Sequence, residues 1–318
     1  MNLNQLTAGV LFAGGGVIDS AILKAGFRID WVNERNHAIA AIYKQNYPNV
    51  QVIESDIANL NITQLPYVDY IHASPPCQLY SAANKQKKPP NYLDAGMYIM
   101  PILKRLQPDY FTLENVTGYR NYPTFKEIER FLLENNYNVQ VLPSVNTAKL
   151  GLPQERKRLI LAASKHKFFI ILPEVQQIGW YHAVKDLIEP LDQKLVPTHL
   201  IPRQQARLDE YKGDYPVLIV RLGGNKKPTL RSPTQPCPTI RAFSKIRGFS
   251  YRWADIVDKD GNAYQVNQAA TAKLMGMHDY KFPEDKAVAH SIIGNGVPPL
   301  LLEMVLNSML VSSGVMAA

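Results

Sequence analysis

Short apolar runs alternate with helical patterns through the N-terminal part of the chain, and this alternation constrains the fold more than any other feature. The runs AGVLFA (8–13), FRIDWV (27–32), QVI (51–53), VDYIHA (68–73) and DYFTL (109–113) are brief and bounded by turn residues. Between them, helical patterns fall near 18–25, 36–46, 93–106 and 124–135. Such a succession predicts an α/β fold, a doubly wound and mostly parallel sheet with helices on both faces. In that architecture a ligand binds beyond the carboxyl ends of the strands.

The residues that follow each run are therefore the ones to read. They are Gly14-Gly15-Gly16, Asn33-Glu34, Glu54-Ser55-Asp56, Pro75-Pro76-Cys77 and Glu114-Asn115. Adjacent strands lie about 4.8 Å apart, so Cys77 and Glu114 are expected to face one another across a small molecule. The glycines let backbone approach a ligand at a helix N-terminus, although a tight turn alone explains such a run as well. A dinucleotide fingerprint counted from Gly14 would end on Asp19, and an acid there disfavours a pyrophosphate. S-adenosylmethionine fits better: Glu34 suits its ribose hydroxyls, Asp56 its adenine amino group, and it carries no phosphate.

Charge points to a partner. The net charge is +8, and from Arg221 to Ala254 the chain carries Arg221, Lys226, Lys227, Arg231, Arg241, Lys245, Arg247 and Arg252 with no acid until Asp255. Phe243, Phe249, Tyr251 and Trp253 are interleaved among them, a pattern that reads as a nucleic-acid surface; a solvated basic loop is the plainer alternative. The two cysteines, Cys77 and Cys237, form no disulfide framework and no zinc spacing, so no metal is expected. The opening MNLNQL lacks a signal-peptide pattern, and the apolar stretch 297–311 is broken by Glu303 and Asn307. A cytoplasmic protein without a membrane span is the expectation.

Five motifs then occur in one order: Phe12-Ala13-Gly14-Gly15-Gly16, Pro75-Pro76-Cys77-Gln78 with Ser81, Glu114-Asn115-Val116, Gln154-x-Arg156-x-Arg158 and Gly294-Asn295-x-Val297. In this order and number they resemble the DNA cytosine-5 methyltransferases, nearly throughout the chain and least between 186 and 262. The resemblance implies an S-adenosylmethionine-dependent, Rossmann-like catalytic domain over 1–185. It implies a smaller target-recognition domain over 186–262, and a hinge with return to the catalytic domain over 263–318.

The implied chemistry assigns each residue a task. Carbon 5 of cytosine is too weak a nucleophile until a thiolate adds at carbon 6, so Cys77 is the expected nucleophile. Glu114 would hold the N3 and amino edge and carry a proton toward N3, with Arg158 against the base carbonyl. Gln154 and Arg156 complete the catalytic set; spaced two apart with Arg158, the three share one face if the stretch is extended, and Arg156 is expected to organise the loop. Phe12, Gly14, Gly16, Glu34, Asp56, Ile57, Pro76, Asn295 and Val297 are the expected cofactor contacts, with S-adenosylhomocysteine as product. A cytosine inside a duplex must first be flipped out, and Ser81, Lys85, Lys87 and Lys88 are the expected DNA contacts of the segment after Cys77.

The resemblance further implies a monomeric restriction-modification methylase acting on double-stranded DNA, with a cognate endonuclease acting separately. Departures from the family pattern include Val17, where another glycine is usual, and Arg35, where a bulky apolar residue is usual. Two rival readings are methylation of RNA and a catalytically silent DNA-binding protein. Retention of Cys77, Glu114, Arg158 and the glycine loop argues against the silent form, and the glycine pattern and thiol argue against a hydride-transferring oxidoreductase.

Overall fold

The computed structural model describes residues 5–76, 94–221, 227–242 and 253–315. The chain forms two compact units, one made of residues 1–146, 157–172 and 299–318, the other of 147–156 and 173–298. The first unit opens with β1 (Thr7–Leu11), α1 (Asp19–Lys24), β2 (Arg28–Asn33), α2 (His37–Asn46), β3 (Gln51–Ile53) and β4 (Tyr70–Ala73). It continues with α3 (Ile99–Leu106), β5 (Tyr110–Asn115), α4 (Pro123–Glu134) and β6 (Asn138–Asn146). After the short β7 (Gln154–Glu155) of the second unit, β8 (Lys157–Ser164) returns to the first.

These strands make one sheet in the order β3-β2-β1-β4-β5-β8-β6. The first five are parallel, and β8 runs antiparallel to both β5 and β6. Strands β4 and β5 are buried at every position, as expected of parallel strands covered on both faces. On one face, Ile71, Phe111, Leu113, Leu159 and Leu161 pack into a single core with Ile99, Ile102 and Leu103 of α3 and Phe125, Ile128 and Leu132 of α4. Alternation along the strands sends Tyr70, His72 and Thr112 to the opposite face.

The second unit continues with α5 (Trp180–Ile188), α6 (Leu191–Lys194), β9 (Val196–Thr198), α7 (Pro202–Asp209), β10 (Val217–Val220), β11 (Thr229–Arg231) and β12 (Cys237–Pro238). It ends with β13 (Ala254–Val257), β14 (Ala263–Gln265), α8 (Gln268–Leu274) and α9 (Lys286–Asn295). Five of its strands form an antiparallel sheet, β11-β10-β13-β14-β9, and β12 pairs with β7. Val217 and Ile219 of β10, Val257 of β13 and Leu208 of α7 form a small core of its own.

The chain closes with α10 (Pro299–Ser312), which belongs to the first unit. The stretch Lys286–Ser312 has the length and mean hydropathy, 1.2, of a membrane span. Within it, α9 ends at Asn295 and α10 begins at Pro299, and α10 buries Leu301, Leu302, Val305, Leu306, Met309 and Leu310. Lys24 on α1 pairs with Glu303 of α10 at 3.4 Å. Burial of this kind marks the core helix of a globular protein.

Gly9 in the middle of β1 is required by packing, because a Cβ there would stand 2.3 Å from Cζ2 of the fully buried Trp31 on neighbouring β2. Trp31 is held in turn by its indole N–H, which donates to the Pro66 carbonyl at 3.2 Å. Gly9→Ala is expected to destabilise the protein by about 1–3 kcal/mol, as overpacking does. Thermal unfolding of the purified variant measures it.

Candidate active site

The parallel register brings the expected site residues level. Leu11 pairs with Asn33 and with Ala73, Asn33 with Ile53, and Ala73 with Leu113. The next residue of each strand, Phe12, Glu34, Glu54, Ser74 and Glu114, therefore begins one row along the carboxyl edge. Backbone bonds tie neighbouring ends together: Ala13 N–H donates to Asn33 O at 2.9 Å, Glu34 N–H to Ile53 O at 3.2 Å, and Ser74 N–H to Leu11 O at 3.4 Å. The buried Asn33 amide adds bonds to the carbonyls of Ile53 and Ser55, at 3.2 and 2.8 Å.

The loop after β1 turns sharply, with positive φ at Phe12 (60°), Gly14 (57°) and Gly16 (79°). Such angles suit glycine and strain Phe12, a mark of a backbone shaped for contact. One Glu34 oxygen accepts the Gly14 N–H at 2.9 Å and the other accepts the Asn36 N–H at 2.7 Å. The carboxylate is thereby aimed before any ligand arrives, and lone pairs remain for ribose hydroxyls. Asp56 caps the turn that buries Ile57, accepting the Ala58 N–H at 3.0 Å, and meets Arg35 Nη1 at 3.4 Å. A carboxylate bonded to the glycine loop and a second beyond the end of β3 suit a nucleoside with hydroxyls and an amino group.

Behind the glycine loop lies an acid that the sequence read only as disfavouring a pyrophosphate. Asp19 is fully buried, and Tyr43 on α2 donates its hydroxyl to Asp19 Oδ2 at 2.5 Å. Tyr47 donates to the Gly16 carbonyl at 2.8 Å, and both tyrosine rings lie where a Gly16 side chain would be. Burial raises the Asp19 carboxyl to about 7, with the Tyr43 hydrogen bond opposing the shift. The sequence signal was present, an acid five residues after Gly14; its tyrosine partners are set only by the packing of α2 on α1.

At the other end of the row, Glu114 and Arg158 are buried together, Arg158 Nε standing 2.7 Å from Glu114 Oε1. Beside them, Asn115 donates its amide to the Pro75 carbonyl at 3.0 Å, fixing the backbone two residues before Cys77. His72, beneath this edge, bonds Thr112 Oγ1 through Nδ1 at 2.8 Å; burial pushes it down to about 3, so it is neutral at ordinary pH. Cys77, Ser81, Lys85, Lys87 and Lys88 lie outside the described residues.

Gln154, Arg156, Asn295 and Val297 belong to the second unit. The stretch 154–158 is divided between β7 and β8, with Arg156 between them, and does not continue as one strand. Gln154 is fully buried and donates to Leu274 O at 3.2 Å and Met275 Sδ at 3.0 Å. Arg156 donates to the carbonyls of Ile240 (2.8 Å), Gly294 (3.1 Å) and Gly296 (2.7 Å), clamping the turn that carries exposed Asn295. Gly294 is obligatory there, since a Cβ would stand 2.0 Å from the Ala242 nitrogen. Val297 is buried. Cys237 is fully buried in β12, and burial pushes its thiol up, away from thiolate chemistry.

Comparison with known proteins gives the chain a family and a fold. Residues 7–310 match the family model of the C-5 cytosine-specific DNA methylases. The chain is 26% identical over 313 residues to the type II methyltransferase M.NgoPII of Neisseria gonorrhoeae, with 91% of this chain and 90% of that protein covered. It is 25% identical over 328 residues to M1.HphI of Haemophilus parahaemolyticus, covering 94% and 85%. In fold it is similar to a DNMT2 variant of Spodoptera frugiperda, with TM-score 0.70, 18% identity and coverage of 95% and 98%. The Dnmt2 methyltransferase of S. pombe is comparable, with TM-score 0.69, 15% identity and coverage of 96% and 98%.

The raised Asp19 carboxyl makes stability depend on pH with a definite sign. Below the ordinary aspartate value of 3.8, folded and unfolded chains are both protonated, and Asp19 contributes no slope. From there to about 7 the folded chain holds the extra proton, so stability attributable to Asp19 falls as pH rises. Chemical denaturation of wild type and Asp19→Asn between pH 4 and 8 is expected to show the variant gaining relative stability with pH. A difference that does not change with pH would contradict this assignment.

Proposed function

The chain belongs to the C-5 cytosine-specific DNA methylase family, and from that premise we propose that it methylates carbon 5 of a flipped-out cytosine in a specific duplex sequence through a covalent Cys77 adduct, using S-adenosylmethionine. Its curated relatives are type II methyltransferases, so its role is that of the modification enzyme of a restriction system, with an endonuclease acting separately. The observation that carries this reading is the single row of strand ends, with preset Glu34 at one position and the buried Glu114–Arg158 pair at another.

The residues present fit the cofactor. Glu34 would hold the ribose hydroxyls and Asp56 the adenine amino group; the backbone at Phe12 and Gly14 would make room for the remainder, Gly16 would shape the turn over the Tyr43 and Tyr47 rings, and Ile57 and Pro76 would be walls. When bound, S-adenosylmethionine supplies an electrophilic methyl group and is released as S-adenosylhomocysteine. Asn295 and Val297 contribute from the turn that Arg156 clamps; Arg156 and Gln154 position backbone in this reading and do not touch the base.

Cys77, as thiolate, forms a bond to carbon 6 of the cytosine, and the carbon 5–carbon 6 π pair becomes available at carbon 5 for methylation. Glu114 holds the amino group and carries a proton toward N3, offsetting the negative charge that addition places on the ring. Arg158 fixes Glu114 through Nε, and its Nη1 is held by the Lys157 carbonyl at 2.8 Å. The guanidinium is thus locked in place beside the base carbonyl it is to meet. Loss of the carbon 5 proton to water then returns the electron pair to the ring and expels the Cys77 thiolate. Ser81, Lys85, Lys87 and Lys88 hold the DNA, and 186–262 supplies target recognition.

Cys77→Ser is expected to abolish methyl transfer while leaving duplex binding largely intact, as read by labelled-methyl incorporation beside a gel-shift titration. A duplex bearing 5-fluorocytosine is expected to trap an adduct on Cys77, since fluorine cannot leave as a proton does; an adduct mapped by mass spectrometry to another residue would sink the mechanism. Parallel assays on duplex DNA and on tRNA are expected to show incorporation into DNA.

A further inference from the structure

The small sheet of the second unit holds a charged side chain that no step above uses. Asp255 on β13 is fully buried, and its Oδ2 accepts hydrogen bonds from Gln204 Nε2 at 2.9 Å and Arg221 Nε at 3.0 Å. Gln204 is itself fixed, because its Oε1 accepts the Ile201 N–H at 3.1 Å and so turns its Nε2 toward Asp255. Arg221 follows β10, and its backbone N–H donates to Trp253 O at 2.7 Å, extending the β10–β13 pairing. The register sets Asp255 opposite Ile219, so Arg221 is its diagonal neighbour on the same face.

Only Nε of Arg221 is used by this carboxylate. The side chain is 20% exposed, and its Nη1 and Nη2 groups bond to none of the described residues. A guanidinium has five N–H donors in a rigid plane, so anchoring Nε leaves four donors presented in a fixed orientation. Neutralising a buried aspartate would be met equally well by a guanidinium turned fully inward. Holding a phosphate needs no preset plane either, since a flexible lysine serves. A planar, bidentate donor pair held still matches the O6 and N7 acceptors of guanine in the major groove.

The geometry points to Arg221 as a reader of one guanine in the target sequence, with Asp255 and Gln204 as its positioning residues. This inference rests on the duplex-methylation reading above. Of the molecule's other buried polar groups, Asp19 and His72 lie under the edge of the large sheet and Arg156 clamps backbone, whereas the partly exposed Arg221 keeps donors that no described residue takes up, in the unit that carries the basic stretch.

The test is methylation of a duplex pool randomised around one cytosine, read by bisulfite sequencing, with wild type, Arg221→Lys and the double variant Arg221→Met with Asp255→Asn. The double variant removes both charges together and spares the fold an unpaired buried carboxylate. Wild type is expected to require guanine at one context position. Both variants are expected to relax that preference roughly tenfold to a hundredfold while keeping the others. The double variant is expected to melt close to wild type. An unchanged context in a folded double variant would make the pair purely structural and overturn the inference. A uniform loss of rate across all sequences would make Arg221 a phosphate contact and overturn it also. Wild type that methylates no cytosine in any duplex would overturn the functional reading and this inference together, which separates that failure from the other two.

Discussion

A parallel register is the constraint on which the carboxyl edge of the large sheet depends. Because Leu11, Asn33, Ile53, Ala73 and Leu113 pair level across five strands, every loop that follows them leaves the sheet at the same height. The loops would otherwise be independent segments with unsatisfied backbone. Cross-ties from Ala13, Glu34, Ser74 and the Asn33 and Asn115 side chains join them into one layer. Each bond is worth only about 1 kcal/mol in net stability, but leaving such buried groups unpaired costs more. The cross-ties therefore make the shape of the edge a consequence of the sheet.

The acids on that edge are held in different ways, and the difference divides their tasks. Glu34 is oriented by two backbone amides and keeps capacity for neutral hydroxyl donors. Glu114 is oriented by a cation in a buried setting, which suits the proton-carrying role proposed for it. Asp19 has neither amide nor cation among its described partners; burial favours its neutral form, and it serves the loop as a hydrogen-bonded brace with Tyr43. A fixed carboxylate, a paired carboxylate and a protonatable carboxyl thus lie within one unit, each set by what surrounds it.

The strand order of the N-terminal half was legible because buried parallel strands write themselves as short apolar runs. The expected runs at 27–32 and 109–113 appear as Arg28–Asn33 and Tyr110–Asn115, and α2 ends at Asn46 where its pattern stops. The pattern over 93–106 mixes two geometries, a 3-10 turn at Ala95–Tyr98 before α3, since one apolar period serves both. Gln154, Arg156 and Arg158 read as one face of one strand; the structure breaks that strand at Arg156, whose acceptors at Ile240, Gly294 and Gly296 lie far along the chain. The Tyr43–Asp19 brace and the Asp255–Arg221 anchor escaped the sequence for the same reason. Each joins residues 24 or more apart, and no local pattern names the partner.

Three arginines show how far the partner, and not the residue type, decides the role. Arg156 donates to three backbone carbonyls and so closes a turn. Arg158 meets a buried carboxylate at the end of β5 and is consumed in orienting it, with the Lys157 carbonyl fixing the fork from the other side. Arg221 also meets a buried carboxylate through Nε, but no carbonyl among the described residues holds its fork from the other side, and it follows the end of a strand. Lysine could supply the charge in each case and the geometry in none, because its single ammonium can neither bridge three carbonyls nor be anchored at one nitrogen while presenting others. The basic composition of the chain therefore describes two different things, a diffuse attraction to a polyanion and a few guanidinium groups whose directions are fixed by what the fold buries beside them.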